Sequence, residues 1–301
     1  FDVTDSSTSL SDLRTCLGWC APWCEIAGAR IIFTVPSDVL AQIDDPGSVI
    51  SEWDRIVDLH HHLRGSIPTV RERVVVDIQH RGGQMHNGYP IVALMDVVVC
   101  PDSDAYPFSV EHLRGKRFNW RLIHELGHNM QRNCWTFNGT HDVTVNWFTM
   151  HALANVRNDP DIWTEFIDAQ RESVKKFLMD ASDRQWTQSP SLCLVFFAIL
   201  FRDFGFDNLR EVLSSYERES PSAWPKSNND KIVSFVRRYS DTLKRNLLPY
   251  CAMWKLGISD DERLAHLHNL PPYLPTDSIF SEVLTDRNQR DLLLTPNTIV
   301  S

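Results

Sequence analysis

The hydrophobic rhythm of this chain changes once and does not change back. Apolar runs of strand length occur only in the first hundred residues: 29–35, with Ile31, Ile32 and Phe33; 73–79, which reads Arg-Val-Val-Val-Asp-Ile-Gln; and 89–99. Pro36-Ser37 stops the first of them, and Arg81-Gly82-Gly83 marks a turn after the second. Between them, residues 48–63 place Ile50, Trp53, Ile56, Val57 and Leu59 at helical spacing. From about Glu111 onward the apolar stripes are helical, around residues 118–130, 143–156, 162–178, 192–201, 209–216 and 232–243. Strands first and helices afterwards predict an α+β chain. A small mixed αβ lobe over residues 1–110 is expected to precede a larger, mainly helical lobe over 111–301. Together they would form one domain with its active-site cleft between the lobes.

The length of 301 residues allows a substantial core. Thirty basic against 39 acidic side chains leave a net charge of -9, which argues against nucleic acid as a partner, since a phosphate-binding face needs surplus Lys and Arg. The longest strongly apolar run, 192–201, is far shorter than a bilayer span, so no transmembrane segment is expected. The chain starts at Phe1 and not at Met, which suggests a piece of a larger multidomain protein. Seven cysteines include no CxxC pair. Cys16, Cys20 and Cys24 stand four apart and would share a face if all were helical, although structural zinc prefers CxxC knuckles.

One helical stripe carries chemistry. Residues 120–130 read Trp-Arg-Leu-Ile-His-Glu-Leu-Gly-His-Asn-Met, an HExxH motif. Positions i and i+4 lie one above the other on a helix, so His124 and His128 can offer both imidazoles to one metal ion. Glu125 projects beside them, placed to take a proton from a metal-activated water. Leu122, Ile123, Leu126 and Met130 form an apolar stripe on the other side, and Gly127 would let a neighbouring element approach closely. A catalytic zinc needs a third protein ligand. Thirteen residues separate His128 from Asp142, which falls past the turn signal Asn138-Gly139 and a capping Thr140 in the first turn of the next helix. His141 and Asp159 are its rivals for the metal. A carboxylate at that place could also serve simply as a charge at the helix N-terminus. Tyr89, His86 and His141 are candidate donors to a developing oxyanion. The segment after Gly88 could pair with an extended substrate at its edge. His60-His61-His62 lies on a predicted helix, where successive side chains diverge, so it reads as a partly solvated face and not a metal cluster.

These residues resemble the enhancin-type metallopeptidases. The likeness rests on residues 124–131 (His-Glu-Leu-Gly-His-Asn-Met-Gln), 135–140 and 143–146. It extends to residues 31–37, 84–90 and 247–250 with Trp254, and so to nearly the whole span from about residue 20 to about 275. That family includes viral enhancins, bacterial mucin-degrading peptidases and the animal TRPM-channel-associated factors. The resemblance implies a zincin-like gluzincin fold, one Zn²⁺ ion, and cleavage of protein or glycoprotein substrates, often O-glycosylated mucins. It maps the metal ligands onto His124, His128 and Asp142, with Glu125 as general base. It also implies an extracellular setting for a mucin-directed peptidase. A channel-associated factor would instead be cytoplasmic or membrane-associated, an interaction module that keeps the peptidase fold. One departure stands out. The family usually has Glu preceded by Thr where this chain has Asp142 preceded by His141, and the shorter acid requires its helix to sit about 1–1.5 Å closer to the metal.

Overall fold

The computed structural model describes residues 1–5, 9–18, 21–79, 83–101, 106–115, 120–159, 161–180, 186–258 and 261–284. The chain groups into two compact units: Phe1–Gln131 with Val145–Pro160, and Arg132–Thr144 with Asp161–Ser301.

The first unit is built on a five-stranded sheet. Helix α1 (Leu10–Leu17) leads into β1 (Trp23–Ala27) and β2 (Ile31–Pro36), and α2 (Ser37–Ala41) follows. The long α3 (Pro46–Arg64) then returns the chain to β3 (Glu72–Asp77). Strands β4 (Met85–His86) and β5 (Ile91–Leu94) complete the sheet, in the order β1-β2-β3-β5-β4. The pairs β2–β3 and β3–β5 are parallel, whereas β1 and β4 run antiparallel at the two edges. Alternate residues of β2 and β3 are buried, so one face of the sheet packs on the core. Helix α3 begins where the Asp45 side chain accepts from the Ser48 amide and Pro46 occupies the first turn. It ends at Gly65, whose φ of 74° closes the helix in a left-handed cap. Trp53, Ile56 and Val57 on its inner face are fully buried. Two short helices, α4 (Met95–Val99) and α5 (Val110–Arg114), precede α6 (Trp120–Met130) and α7 (His141–Arg157).

The second unit is helical: α8 (Ile162–Ala169), α9 (Arg171–Met179), α10 (Pro190–Phe204), α11 (Phe206–Glu217), α12 (Asn228–Leu243), α13 (Leu248–Met253) and α14 (Ser278–Leu284). At its centre stands α10, in which Leu192 to Phe201 are all buried. Its rings meet those of neighbouring elements: Phe196 stacks on Tyr250 at 4.9 Å, and Phe197 meets Phe235 edge-on at 6.0 Å. No described helix is long and apolar enough to cross a membrane.

The α+β reading holds, with three local corrections. The strand expected over 89–99 stops at Leu94, because Met95–Val99 coils into α4 and only Ile91–Leu94 pairs with its neighbours. The stripe over 162–178 is two helices, broken at Gln170, where φ of -101° and ψ of 0° leave the helical well. Cys24 lies on β1 and Cys16 on α1, so the four-residue spacing of those cysteines is not carried by one helix; Cys20 lies outside the described residues. Arg81, Gly82 and Phe118 also lie outside them.

Candidate metal centre

Helix α6 is divided lengthwise. Leu122, Ile123, Leu126, Gly127 and Met130 are buried, whereas His124, Glu125 and His128 are half-buried on the other side. The close approach expected at Gly127 is present. A Cβ added there would stand 2.9 Å from Val145 Cγ2 and 3.0 Å from the Val145 carbonyl oxygen, nearer than packed atoms come. Helix α7 therefore lies directly on α6. Behind α6, the buried His60 donates from Nε2 to the Ile123 carbonyl at 3.0 Å, and burial pushes its pKa down to about 4. The other two histidines of that run diverge as their helical positions require. His61 Nδ1 meets the Ser66 hydroxyl at 2.8 Å, and His62 stacks on His151 at 5.9 Å.

The two motif imidazoles stand nearly perpendicular, at 89°, with ring centroids 4.6 Å apart. Each has its Nδ1 engaged by an amide oxygen: His124 with Asn146 Oδ1 and His128 with Gln131 Oε1, both at 2.7 Å. An amide oxygen only accepts, so each ring donates from Nδ1, and a neutral ring held this way has its lone pair at Nε2. This is the arrangement that orients histidine ligands in metal sites, where the outer acceptor fixes both tautomer and ring plane. Asn146 and Gln131 were visible in the sequence only as parts of a resemblance. Gln131 is three residues after His128, just past the end of α6, and Asn146 reaches His124 only because α7 packs on Gly127.

The loop from α6 to α7 closes as the turn residues require. Gly139 has φ of 78°, and the Thr140 hydroxyl accepts from the Phe137 amide and donates to its carbonyl, each at 3.0 Å. Asp142 follows in the first turn of α7 with its side chain 71% exposed, and His141 Nδ1 lies 3.7 Å from its carboxylate. Among the described residues, one group of three or more His, Cys, Asp or Glu side chains could hold a metal ion. It comprises His124, His128 and Asp142, whose ligand atoms all lie within 4.8 Å of one another. Ligands at ~2.0–2.2 Å on one tetrahedral zinc stand about 3.4 Å apart, so small side-chain rotations would close this set. Two imidazoles and one carboxylate are a donor set that would suit a catalytic zinc ion.

His124 and Glu125 also line an open depression of about 440 Å³, together with Gln84, Met85, Trp120 and Arg121. His86, exposed on β4, turns its Nδ1 to the Asn87 carbonyl at 2.9 Å. Tyr89 is 63% exposed and faces the Arg73 guanidinium. Of the three oxyanion candidates, His141 is the one beside Asp142.

Residues 14–255 match the model of the family described as peptidase M60, enhancin and enhancin-like. TRPM8 channel-associated factor 3 of Mus musculus is 30% identical over 244 residues, which cover 78% of this chain and 25% of that protein. The chain thus spans about a quarter of the length of the curated relatives it matches. Among solved structures, a conserved protein of unknown function from Bacillus anthracis aligns with a TM-score of 0.76 at 20% identity, covering 93% of this chain and 58% of that one. The M60 catalytic domain of Clostridium perfringens ZmpC, in complex with the sialyl T antigen, aligns with a TM-score of 0.62 at 16% identity, covering 93% and 56%. At these identities the two structures speak to the fold alone.

Proposed function

Because this chain belongs to the peptidase M60, enhancin and enhancin-like family, we propose that it is a zinc-dependent endopeptidase acting on O-glycosylated, mucin-like proteins. The observation that carries this reading is the convergence of two imidazoles, each with its Nδ1 against an amide oxygen, and the carboxylate of Asp142, with Glu125 beside the imidazoles on α6. His124, His128 and Asp142 are the ligands in this proposal. Zinc, when bound, supplies a Lewis acid that acidifies water and polarises a carbonyl.

The remaining work falls to the protein. Asn146 and Gln131 hold the Nδ1 protons, so both Nε2 lone pairs stay turned toward the metal. Glu125, on the wall of the depression, takes the proton from the attacking water and passes it to the leaving amine. His141, next to Asp142, is the donor retained for the developing oxyanion. The depression has room for a peptide side chain or a sugar, with Trp120 offering a ring face and Gln84 and Arg121 polar groups. A glycan on the substrate is part of this proposal, in keeping with the sialyl T antigen in the structure of the fold-related Clostridium perfringens domain.

A second reading is favoured by the relatives named for association with a channel, which match about four-fifths of this chain. Under it the chain is an interaction module and Glu125 has no task. One experiment separates the two. The purified chain should bind one zinc ion and cleave a mucin-type glycoprotein in a chelator-sensitive way. Glu125→Gln should retain zinc while losing ~10²–10⁴-fold in rate. Cleavage by Glu125→Gln at the parent rate, or a parent that takes up no zinc, would remove the peptidase reading.

A further inference from the structure

Beside His128, α6 carries a polar side chain that the chemistry above does not use. Asn129 points to the sheet, where its amide pairs with the Gly88 backbone on both sides: Gly88 N–H donates to Oδ1 at 3.2 Å and Nδ2 donates to the Gly88 carbonyl at 3.1 Å. Nδ2 also donates to Glu72 Oε2 at 2.7 Å. A side-chain amide here takes the place that a strand neighbour would fill; the Gly88 amide and carbonyl fix which way round it lies, and the Glu72 contact agrees. Glu72 opens β3 and is only 6% exposed. Asn129 is the one side-chain hydrogen-bond partner of its carboxylate among the described residues. A buried acid with one partner costs stability compared with an apolar residue of similar size. Core packing alone would not require this pair.

Its position suggests a use. Gly88 ends the short segment that begins at Gln84 and contains β4, an edge strand of the sheet. Gln84 and Met85 supply one part of the depression's lining, and Trp120, Arg121, His124 and Glu125 of α6 supply the other. Gly88 has φ of 131°, a conformation open to glycine and costly for other residues, so the backbone there needs an external hold to keep one geometry. We propose that Asn129 and Glu72 are a positioning pair that fixes the Gly88 segment against α6 and so sets the spacing between the two parts of the lining where a substrate seats; this rests on the peptidase reading above.

The test uses the whole chain with zinc bound, a threonine-rich peptide carrying O-linked N-acetylgalactosamine as substrate, and amide hydrogen exchange at Gly88. Asn129→Ala should raise KM by roughly tenfold, with kcat within about twofold of the parent and one zinc ion still bound, and should speed exchange at Gly88 by roughly tenfold. Glu72→Leu, which leaves Asn129 in place but unanchored, should give the same pattern at roughly threefold. Glu72→Gln keeps an acceptor oxygen and should behave as the parent. If Asn129→Ala does not fold, the Glu72→Leu and Glu72→Gln pair decides alone. Unchanged exchange at Gly88, or a loss in kcat with KM unmoved, would overturn the proposal. A parent chain that binds no zinc and cleaves nothing would overturn the peptidase reading instead, and exchange at Gly88 would still decide whether the pair holds the segment.

Discussion

Helices α6 and α10 show two ways of using a helix. In α10 the side chains from Leu192 to Phe201 are all buried, and the helix meets aromatic rings of several neighbours. In α6 only the stripe of Leu122, Ile123, Leu126 and Met130 is buried, and the opposite side is left half-buried for His124, Glu125 and His128. A helix that is apolar all round can only support a fold. A helix divided lengthwise can be held firmly on one side and do chemistry on the other. Substitutions in α10 should therefore cost stability, whereas those around the polar side of α6 should cost function at nearly constant stability.

The largest expected effect breaks the core side of this comparison. Phe197→Ala should destabilise the protein by about 3–5 kcal/mol, seen as a large drop in Tm, because its ring contacts with Phe235, Phe201 and Trp186 leave a cavity that helices close poorly. Only a site that repacks around the missing ring would reduce the loss to below about 1 kcal/mol.

An effect of intermediate size concerns the support behind α6. His60 is held neutral, with its pKa down at about 4 against an ordinary value of 6.5. Below pH 6.5 the unfolded chain binds a proton that the folded chain refuses, so stability should fall as the pH drops from about 6.5 toward about 4. The full loss is about 3 kcal/mol for this residue. Burial also lowers His151, to about 3, so part of the acid sensitivity should remain after His60 is replaced. His60→Gln keeps a donor for the Ile123 carbonyl and cannot charge. Its Tm should depend less steeply on pH between 6.5 and 4, and an unchanged slope would rule His60 out as a source.

The smallest effect sharpens the comparison on the polar side. Asn146→Ala removes the acceptor behind His124 and should weaken zinc binding by roughly 10–100-fold while lowering the stability of the metal-free chain by only about 1 kcal/mol. Competition titration with a zinc chelator reads the first quantity, and denaturant unfolding of the metal-free protein the second. A Tm loss as large as that of Phe197→Ala, with zinc affinity intact, would mean that Asn146 serves the core and not the site.

Much of this was legible in the residues, and what was missed has a common cause. The buried stripe of α6 and the turn at Gly139 follow from helical spacing and glycine's freedom, which act within a few residues, and the missing side chain of Gly127 marked where a neighbour could come close without saying which. The end of β5 at Leu94 was not legible, because a run such as Val-Ala-Leu-Met-Asp-Val-Val-Val suits either a strand or a helix, and pairing decides between them. The break at Gln170 escaped for a similar reason, since the apolar period continues across it. The contacts of Asn129 with Glu72 and Gly88 join positions 57 and 41 residues apart, which no local pattern reveals.

By itself the sequence determined that two imidazoles share one face of a helix with an acid beside them, since a spacing of four residues suffices for that wherever the helix lies. Tertiary structure decided the rest. That each Nδ1 finds an amide oxygen, and that Asp142 comes within 4.8 Å of both rings, depends on α7 lying against Gly127 and on the turn that precedes α7. Those contacts are set by the packing of side chains far apart in the chain, and no local spacing encodes such packing.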